Sequence, residues 1–579
     1  MFSLLKYAAA YRKQLILGPF FKLLEAVFEL LLPLCMAKLI DKGINQHNSH
    51  ELIKYATLML FMSVIGLGCV LICQYYAAVA SQGFGTELRK HLMQKINQLS
   101  HSELDKLGTA TLVTRMTSDI NQLQLALAMF IRLVIRAPFL SIGSIIMAFY
   151  IDRQSAFVFL FILPVFSFIL YTVMRKTVPL YKNVQQNIDS LNDDVDENLT
   201  GVRVIRAFAK TNSRETQFKT INQQVADAYI KVADWSSTLN PLTTLIMNTA
   251  VVFLLYFGGI SVNSGRLLQG DVLALINYMT QMLLALIVVS NLVIIFTRAA
   301  ASNQRVKEIL DIKPIIETDN TNINHAPWTN PIIVDFSHVS FKYDTNGGYA
   351  LNDITFSLPK GDTLGITGPT GSGKSTLINL IPKAYLVTHG QITVNGLPVN
   401  DYATGVLRSH IGIAPQTSQL FSGTIRSNLQ MGLPEADDST CLKALHIAQC
   451  DDFISQLPDG LDTIIEADGT NFSGGQKQRL TIARAVISQP DLVILDDSLS
   501  ALDYKTDLAL RQAIKQHLKT SSLIIISQRM SSIEHADQIL VLNQGQEDGC
   551  GTHDELMKSS ATYQQLVQSQ AESANEGGQ

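Results

Sequence analysis

Uncharged stretches rich in Leu, Ile, Val, Phe and Ala recur in the first half of the chain, at residues 55–86, 154–174, 235–265 and 272–297, each bounded by charges. A bilayer core takes about 20 residues of helix, so each run is long enough to cross one. Two further stretches share this apolar character but carry charges: 15–40 contains Lys22, Glu25, Glu29 and Lys38, and 129–151 contains Arg132 and Arg136. The pattern predicts six spans. Residues 87–128 and 175–234, between spans two and three and between four and five, are polar, helically patterned and poor in proline. They lack the apolar content for cores of their own, so the membrane helices are expected to continue past the bilayer rather than to carry separate soluble insertions. Short turns near 104–107 and 207–211 would join them.

The pattern changes after residue 310. Residues 311–331 hold Pro314, Pro327, Trp328 and several Asn and Thr, as a linker does, and from 332 short β-branched runs alternate with helical ones. That alternation predicts a largely parallel sheet with helices packed on it. The expected organisation is a membrane domain at 1–310, a linker at 311–331 and an α/β domain at 332–579.

Charge sharpens this division. Residues 1–310 carry 28 basic and 19 acidic side chains and the remainder 17 and 30, so the net charge of -4 sums two unlike halves. With the N-terminus inside, the cytoplasmic segments hold 20 Lys and Arg, and the outer loops with their flanks hold five: Lys38, Lys42, Lys54, Arg153 and Arg266. The basic residues therefore place both termini in the cytoplasm. Residues 1–13 are amphipathic and basic with no small-residue cleavage site, and are expected to form an interfacial helix rather than a removed signal peptide. The composition fits neither a disordered chain nor a basic nucleic-acid-binding surface, and no nucleic-acid partner is expected. The six cysteines show no C-x-x-C pair and no histidine at zinc spacing.

Ionisable residues within spans are costly unless paired or hydrated. Glu25 and Glu29 lie four apart on span one, as do Arg132 and Arg136 on span three, so each pair occupies one helical face. Two arrangements fit: an interhelical charge network or wet cavity, or arginines that snorkel to the inner interface beside hydrated glutamates. Asn248, Asn277, Gln281 and Asn291 could line a substrate path or hold helices together.

The strongest chemical signal is Gly368-Pro369-Thr370-Gly371-Ser372-Gly373-Lys374-Ser375, followed by Thr376, between an apolar strand at 363–367 and a helix. It is a P-loop: the glycines let backbone N–H groups close around a phosphate, Lys374 reaches the β and γ phosphates, and Ser375 offers its hydroxyl to Mg²⁺. The run Leu492-Val493-Ile494-Leu495-Asp496 supplies the carboxylate such a site needs for the metal shell, and Asp497 follows where a general base would polarise the attacking water. This half is expected to bind a nucleoside triphosphate with Mg²⁺.

Between these motifs stands Phe472-Ser473-Gly474-Gly475-Gln476-Lys477-Gln478-Arg479. It resembles the signature of ATP-binding cassette (ABC) proteins. Tyr343 in VSFKY resembles the adenine-stacking A-loop, Gln416 in IAPQ the Q-loop, whose glutamine serves the metal and the catalytic step, and SALD at 500–503 the D-loop. GTATLVTRMTSDI and ENLTGVRVIRAF resemble the segments around the family's coupling helices, and YFGGISVNSGRLLQGD its turn between spans five and six. The whole chain resembles an ABC exporter half-transporter. The resemblance implies a six-span α-helical membrane domain, a P-loop NTPase cassette, and a dimer in which ATP lies between one chain's P-loop and the other's Ser473, Gly474, Gly475 and Gln476.

Three positions depart from the family pattern. The catalytic Glu is Asp497, one methylene shorter, which withdraws the carboxylate by about 1.5 Å where a 1 Å misplacement already costs roughly 100-fold. The switch His is Gln528 in IIISQR, and Ala467 stands where exporters commonly place a Glu. Weak hydrolytic residues beside a sound signature imply one subunit of a heterodimeric exporter with a degenerate ATP site, its partner carrying the Glu and His. An active homodimer tolerating both changes is the alternative. The expected cargo is an amphipathic small molecule or drug moved out across the plasma membrane. Lipid, peptide or thiol-compound export, or a mainly regulatory ATP-binding role, are the other readings.

Overall fold

Long helices fill the first half of the computed structural model, which describes residues 2–313, 328–344 and 347–576. Most of the 311–331 linker lies outside the described residues, as does the Asn291 side chain. Among the described residues, five helices are long and apolar enough to cross a membrane: Ser49–Ile96, Thr109–Ile151, Arg153–Thr200, Thr211–Asn263 and Gln269–Asp311. A sixth, Arg12–Lys38, carries the charges that interrupt its apolar run. Ser49–Ile96 has 48 residues, about 70 Å of helix against about 30 Å of bilayer core, so it continues well beyond the membrane without a break. Its most apolar stretch is only 17 % buried within the chain, which is how a lipid-facing surface differs from a soluble core.

Local chemistry fixes the helix ends. The Asn48 side chain accepts the N–H groups of His50 and Glu51, and Asp152 caps Arg153–Thr200 by accepting from Ser155 N at 2.8 Å. Phe2–Tyr11 forms a tight 3₁₀ segment leading into the first helix. Helix Thr109–Ile151 contains two π-helical turns, Arg115–Asp119 and Phe130–Val134, and the second carries Arg132. A π turn adds one residue to a helical turn and rotates everything beyond it.

Small residues such as Ala26, Ala137 and Ala250 let these helices approach closely around Tyr278, Met279 and Met282. Among the charged residues within the spans, Arg136 pairs across helices with Glu25 and Glu29. Arg136 Nη2 donates to both Glu29 oxygens at 2.8 and 2.9 Å, its Nε lies 3.9 Å from Glu25, and Lys22 pairs with Glu25. This is the network arrangement rather than the snorkelled one for Arg136. Arg132 forms no ion pair among the described residues. Gln281 donates to the Glu29 carbonyl at 3.3 Å, and Asn277 to its own helix at Leu273. Gln281 therefore joins two helices, whereas this Asn277 bond stays within its own.

The second compact unit comprises the chain from Lys313 onward together with Asn97–Thr109, so the turn between the second and third membrane helices groups with the cassette. An antiparallel sheet runs in the order β2-β1-β4-β5, from β1 (Ile332–Phe341), β2 (Leu351–Pro359), β4 (His389–Val394) and β5 (Leu397–Pro398). The main sheet runs β12-β11-β3-β10-β9-β6, from β3 (Thr363–Thr367), β6 (Ile411–Ala414), β9 (Leu492–Asp496), β10 (Ser522–Ile526), β11 (Gln538–Asn543) and β12 (Gln546–Gly551). β7 (Gly423–Thr424) and β8 (Ile464–Ile465) form a separate small pair. Apart from β12, neighbours in the main sheet are parallel, and β9 and β10 are buried along their whole length. Such strands need helices on both faces, which is why they read as continuous apolar runs.

Candidate nucleotide site

Register brings the chemistry to one edge of the sheet. Ile366 pairs with Ile526 and Ile526 with Asp496, so the residues following β3, β10 and β9 emerge side by side. These are the loop from Gly368, Ser527-Gln528, and Asp496-Asp497. Ligands of open parallel sheets bind at this carboxyl edge.

The glycine loop is forced by space. At Gly368 (φ +146°) a Cβ would lie 2.1 Å from the Leu542 carbonyl, and at Gly373 (φ +99°) 2.8 Å from that of Ala350. Only glycine fits either position. Lys374 opens helix Lys374–Leu380 and its Nζ donates back to the carbonyls of Gly368 and Pro369, both at 2.8 Å. Ser375 Oγ donates to Asp496 Oδ1 at 3.3 Å, and the hydroxyls of Tyr343 and Thr376 are 2.8 Å apart.

A cavity of ≈ 590 Å³ opens over this loop, lined by Tyr343, Thr370, Gly371, Gly373, Lys374, Ser375, Thr376, Gln416 and Gln528 among the residues singled out from sequence. Ser372 lies buried beneath it, its backbone carbonyl accepting from Gly545 N. Gln528 Nε2 donates weakly to Thr370 Oγ1 at 3.4 Å, and Gln570 holds the Gln528 carbonyl from behind. Asp497 sits at φ +47° with its N–H on the Ile526 carbonyl, and the Gln416 side chain neighbours its carboxylate.

Burial raises the Asp496 carboxyl above its ordinary range, with Asp497 adding to the shift against the Ser375 hydrogen bond. Burial likewise raises Asp497 and lowers Lys374, whose charge the two carboxylates favour. Two desolvated carboxylates beside hydroxyl and amide oxygens form the hard-oxygen donor set that suits Mg²⁺.

The signature residues are elsewhere. Ser473 caps helix Gly474–Val486 in a reciprocal box, Ser473 N donating to Gln476 Oε1 at 2.9 Å, and neither Ser473, Gly474, Gly475 nor Gln476 lines the cavity. The chain therefore does not bring its own signature to its own P-loop. Four lining residues escape the motifs: Tyr349, Ala350, Gln544 and Gly545. Gln544 and Gly545 make the left-handed β11–β12 turn (φ +51° and +79°). Their Asn-Gln-Gly-Gln sequence signals a turn but not its place beside the P-loop.

Comparison with known proteins agrees with this architecture. Residues 15–286 match the ABC transporter transmembrane region, and residues 351–500 match the ABC transporter family's cassette. The ABC transporter ATP-binding protein YfiB of Bacillus subtilis (strain 168) is 35 % identical over 95 % of this chain and 95 % of its own. Rv1273c of Mycobacterium tuberculosis (strain ATCC 25618 / H37Rv), named likewise, is 32 % identical over 98 % of each. The solved structure of a bacterial Atm1-family ABC exporter with ATP bound superposes with a TM-score of 0.80, covering 97 % of this chain and 99 % of that one at 22 % identity.

Proposed function

The chain belongs to the ABC transporter family, as a half-transporter of exporter fold whose ATPase cassette powers transport, and we propose that it is the degenerate-site subunit of a heterodimeric exporter of amphipathic small molecules. The functional division is a membrane domain at 1–310, a linker at 311–331 and a cassette at 332–579. We place it in the plasma membrane, and the basic residues of its cytoplasmic segments support an orientation with both termini and the cassette inside.

In this reading Tyr343 stacks on adenine, and the N–H groups of the Gly368–Thr376 loop take the phosphates. Lys374 leaves the carbonyls of Gly368 and Pro369 for the β and γ phosphates. Ser375, Gln416 and Asp496 would hold Mg²⁺, which neutralises phosphate charge. The partner's signature closes over this ATP, while Ser473 to Gln476 close over the partner's. Closure favours an outward-open cavity because the γ-phosphate bridges the two chains only in the closed state. Hydrolysis at the partner's site reopens it.

The observation that carries the proposal is the pairing of Asp497 and Gln528 beside the P-loop. Asp497 carries a carboxylate one methylene shorter than the family's Glu, and Gln528 offers an amide where an imidazole is needed. The test is ATPase turnover of the purified chain alone and with its partner. Negligible turnover alone, unaffected by Asp497→Asn, supports the proposal, and vigorous turnover by the chain alone overturns it. Transport by complexes carrying Lys374→Ala in this chain reports whether ATP binding here drives the cycle or only times it.

A further inference from the structure

Tyr343, the residue read above as the adenine platform, is in contact with a second tyrosine that reaches the segment grouping with the cassette from between the membrane helices. The Tyr385 ring meets Tyr343 edge-on, with centroids 5.3 Å apart and planes at 87°. On its other side the Tyr385 hydroxyl donates to Asp105 Oδ2 at 2.6 Å, and its ring lies 5.9 Å from the His101 imidazole. Asp105 and His101 both belong to the short helix His101–Leu107. That helix is internally braced, because Ser100 and Glu103 form a reciprocal cap with Glu103 buried. It therefore responds as a unit to a pull on Asp105.

A cavity of ≈ 140 Å³ adjoins the rings and the start of this helix, lined by Ser100, Ser102, Phe341, Tyr343 and Tyr385 among others. The rings thus have room to shift. Tyr343 is 49 % exposed, and a base laid on its open face would hold the ring still while its hydroxyl stays near Thr376. Fixing Tyr343 fixes the edge-on partner, and fixing Tyr385 fixes its charged hydrogen bond.

We infer that Tyr385 is a positioning residue that transmits adenine occupancy from Tyr343 to Asp105, so that nucleotide seats helix His101–Leu107 before any γ-phosphate-dependent closure. The inference rests on Tyr343 being the adenine platform. It makes the seating of this helix sensitive to ADP as well as ATP, because the relay touches the base and not the terminal phosphate. A hydrogen bond to a charged acceptor carries a weight of about tenfold in such an equilibrium.

The experiment is amide hydrogen exchange of residues 97–109 in the full chain in lipid nanodiscs, with and without saturating ADP. In the wild type, ADP is expected to slow exchange there about tenfold. Tyr385→Phe keeps the ring contact but loses the donor, so the slowing should fall below about twofold at unchanged ADP affinity. Asp105→Asn keeps an acceptor and should retain part of the effect, while Asp105→Leu should abolish it. Equal slowing in the wild type, Tyr385→Phe and Asp105→Leu, or no slowing in a wild type that binds ADP, overturns the relay. If Tyr343→Ala leaves ADP affinity unchanged, the adenine reading itself has failed, which is a different result.

Discussion

Removing Arg136 tests whether the charges inside the membrane half form a working network. Its Nη2 bridges both oxygens of Glu29 at 2.8–2.9 Å, and its Nε faces Glu25 at 3.9 Å. The Arg136 and Glu29 side chains are 25 % and 28 % exposed, too little for water to screen the pair fully. Unit charges at this separation attract by about 6 kcal/mol at an effective dielectric of 20, and desolvation consumes much of that. What remains measurable is the penalty for stranding Glu29, about 3 kcal/mol for Arg136→Gln. Because Lys22 still neutralises Glu25, Glu29 bears most of this loss. Reversible unfolding in mixed micelles, run as a cycle of wild type, Arg136→Gln, Glu29→Gln and the double variant, should give a coupling of about 2 kcal/mol. The double variant should then be more stable than Arg136→Gln alone. A coupling below about 0.5 kcal/mol would refute the network and return Arg136 to a snorkelled side chain.

Two further outcomes follow from geometry. Gly270→Ala would place a Cβ 2.3 Å from the Ala37 carbonyl and 2.5 Å from Asp41 Oδ2, breaking the bond from Gly270 N to Asp41; it should cost about 2 kcal/mol by the same unfolding measurement, whereas Gly66→Ala, which meets nothing, should be neutral. Burial and neighbouring Arg408 lower the His101 pKa, against the pull of Asp105, so the ring is neutral in place. Its folded pKa lies below the unfolded value of about 6.5, so its contribution is present at neutral pH and is lost as pH falls below that value. The thermal midpoint should therefore drop more between pH 7.5 and 5.5 in the wild type than in His101→Gln, and parallel drops would contradict this.

The gathering of the candidate nucleotide-site residues around the P-loop was largely legible in the sequence because the chemistry expected of them dictates residue types. A loop that wraps a phosphate needs Gly368 and Gly373 where a Cβ would strike the Leu542 and Ala350 carbonyls, and a metal shell needs Asp496 at a strand end. The same logic could not reach Gln544 and Gly545, which adjoin the P-loop only because β11 pairs with β3 across some 170 residues of chain. Nor does any local pattern assign residues 97–109 to the cassette, since contacts such as Tyr385 to Asp105 decide it. In the membrane half, i to i+4 spacing showed that Glu25 and Glu29 share a face, as do Arg132 and Arg136. It did not show that Arg136 takes both glutamates while Arg132 takes neither. The π turn Phe130–Val134 carries Arg132 and ends before Arg136, which changes their relative direction, and an apolar repeat does not reveal one extra residue in a turn.

The central claim is that ATP bound to this chain's P-loop is hydrolysed slowly while the partner's site turns over. Trapping with vanadate and a photoreactive ATP analogue in the co-purified two-chain complex reads the two sites separately, because vanadate captures nucleotide only where hydrolysis has occurred. The account predicts vanadate-dependent label on the partner chain and none on this one, with label appearing here once Asp497→Glu and Gln528→His are combined. Vanadate-dependent label on the wild-type chain at Lys374, equal to that on the partner, would contradict it.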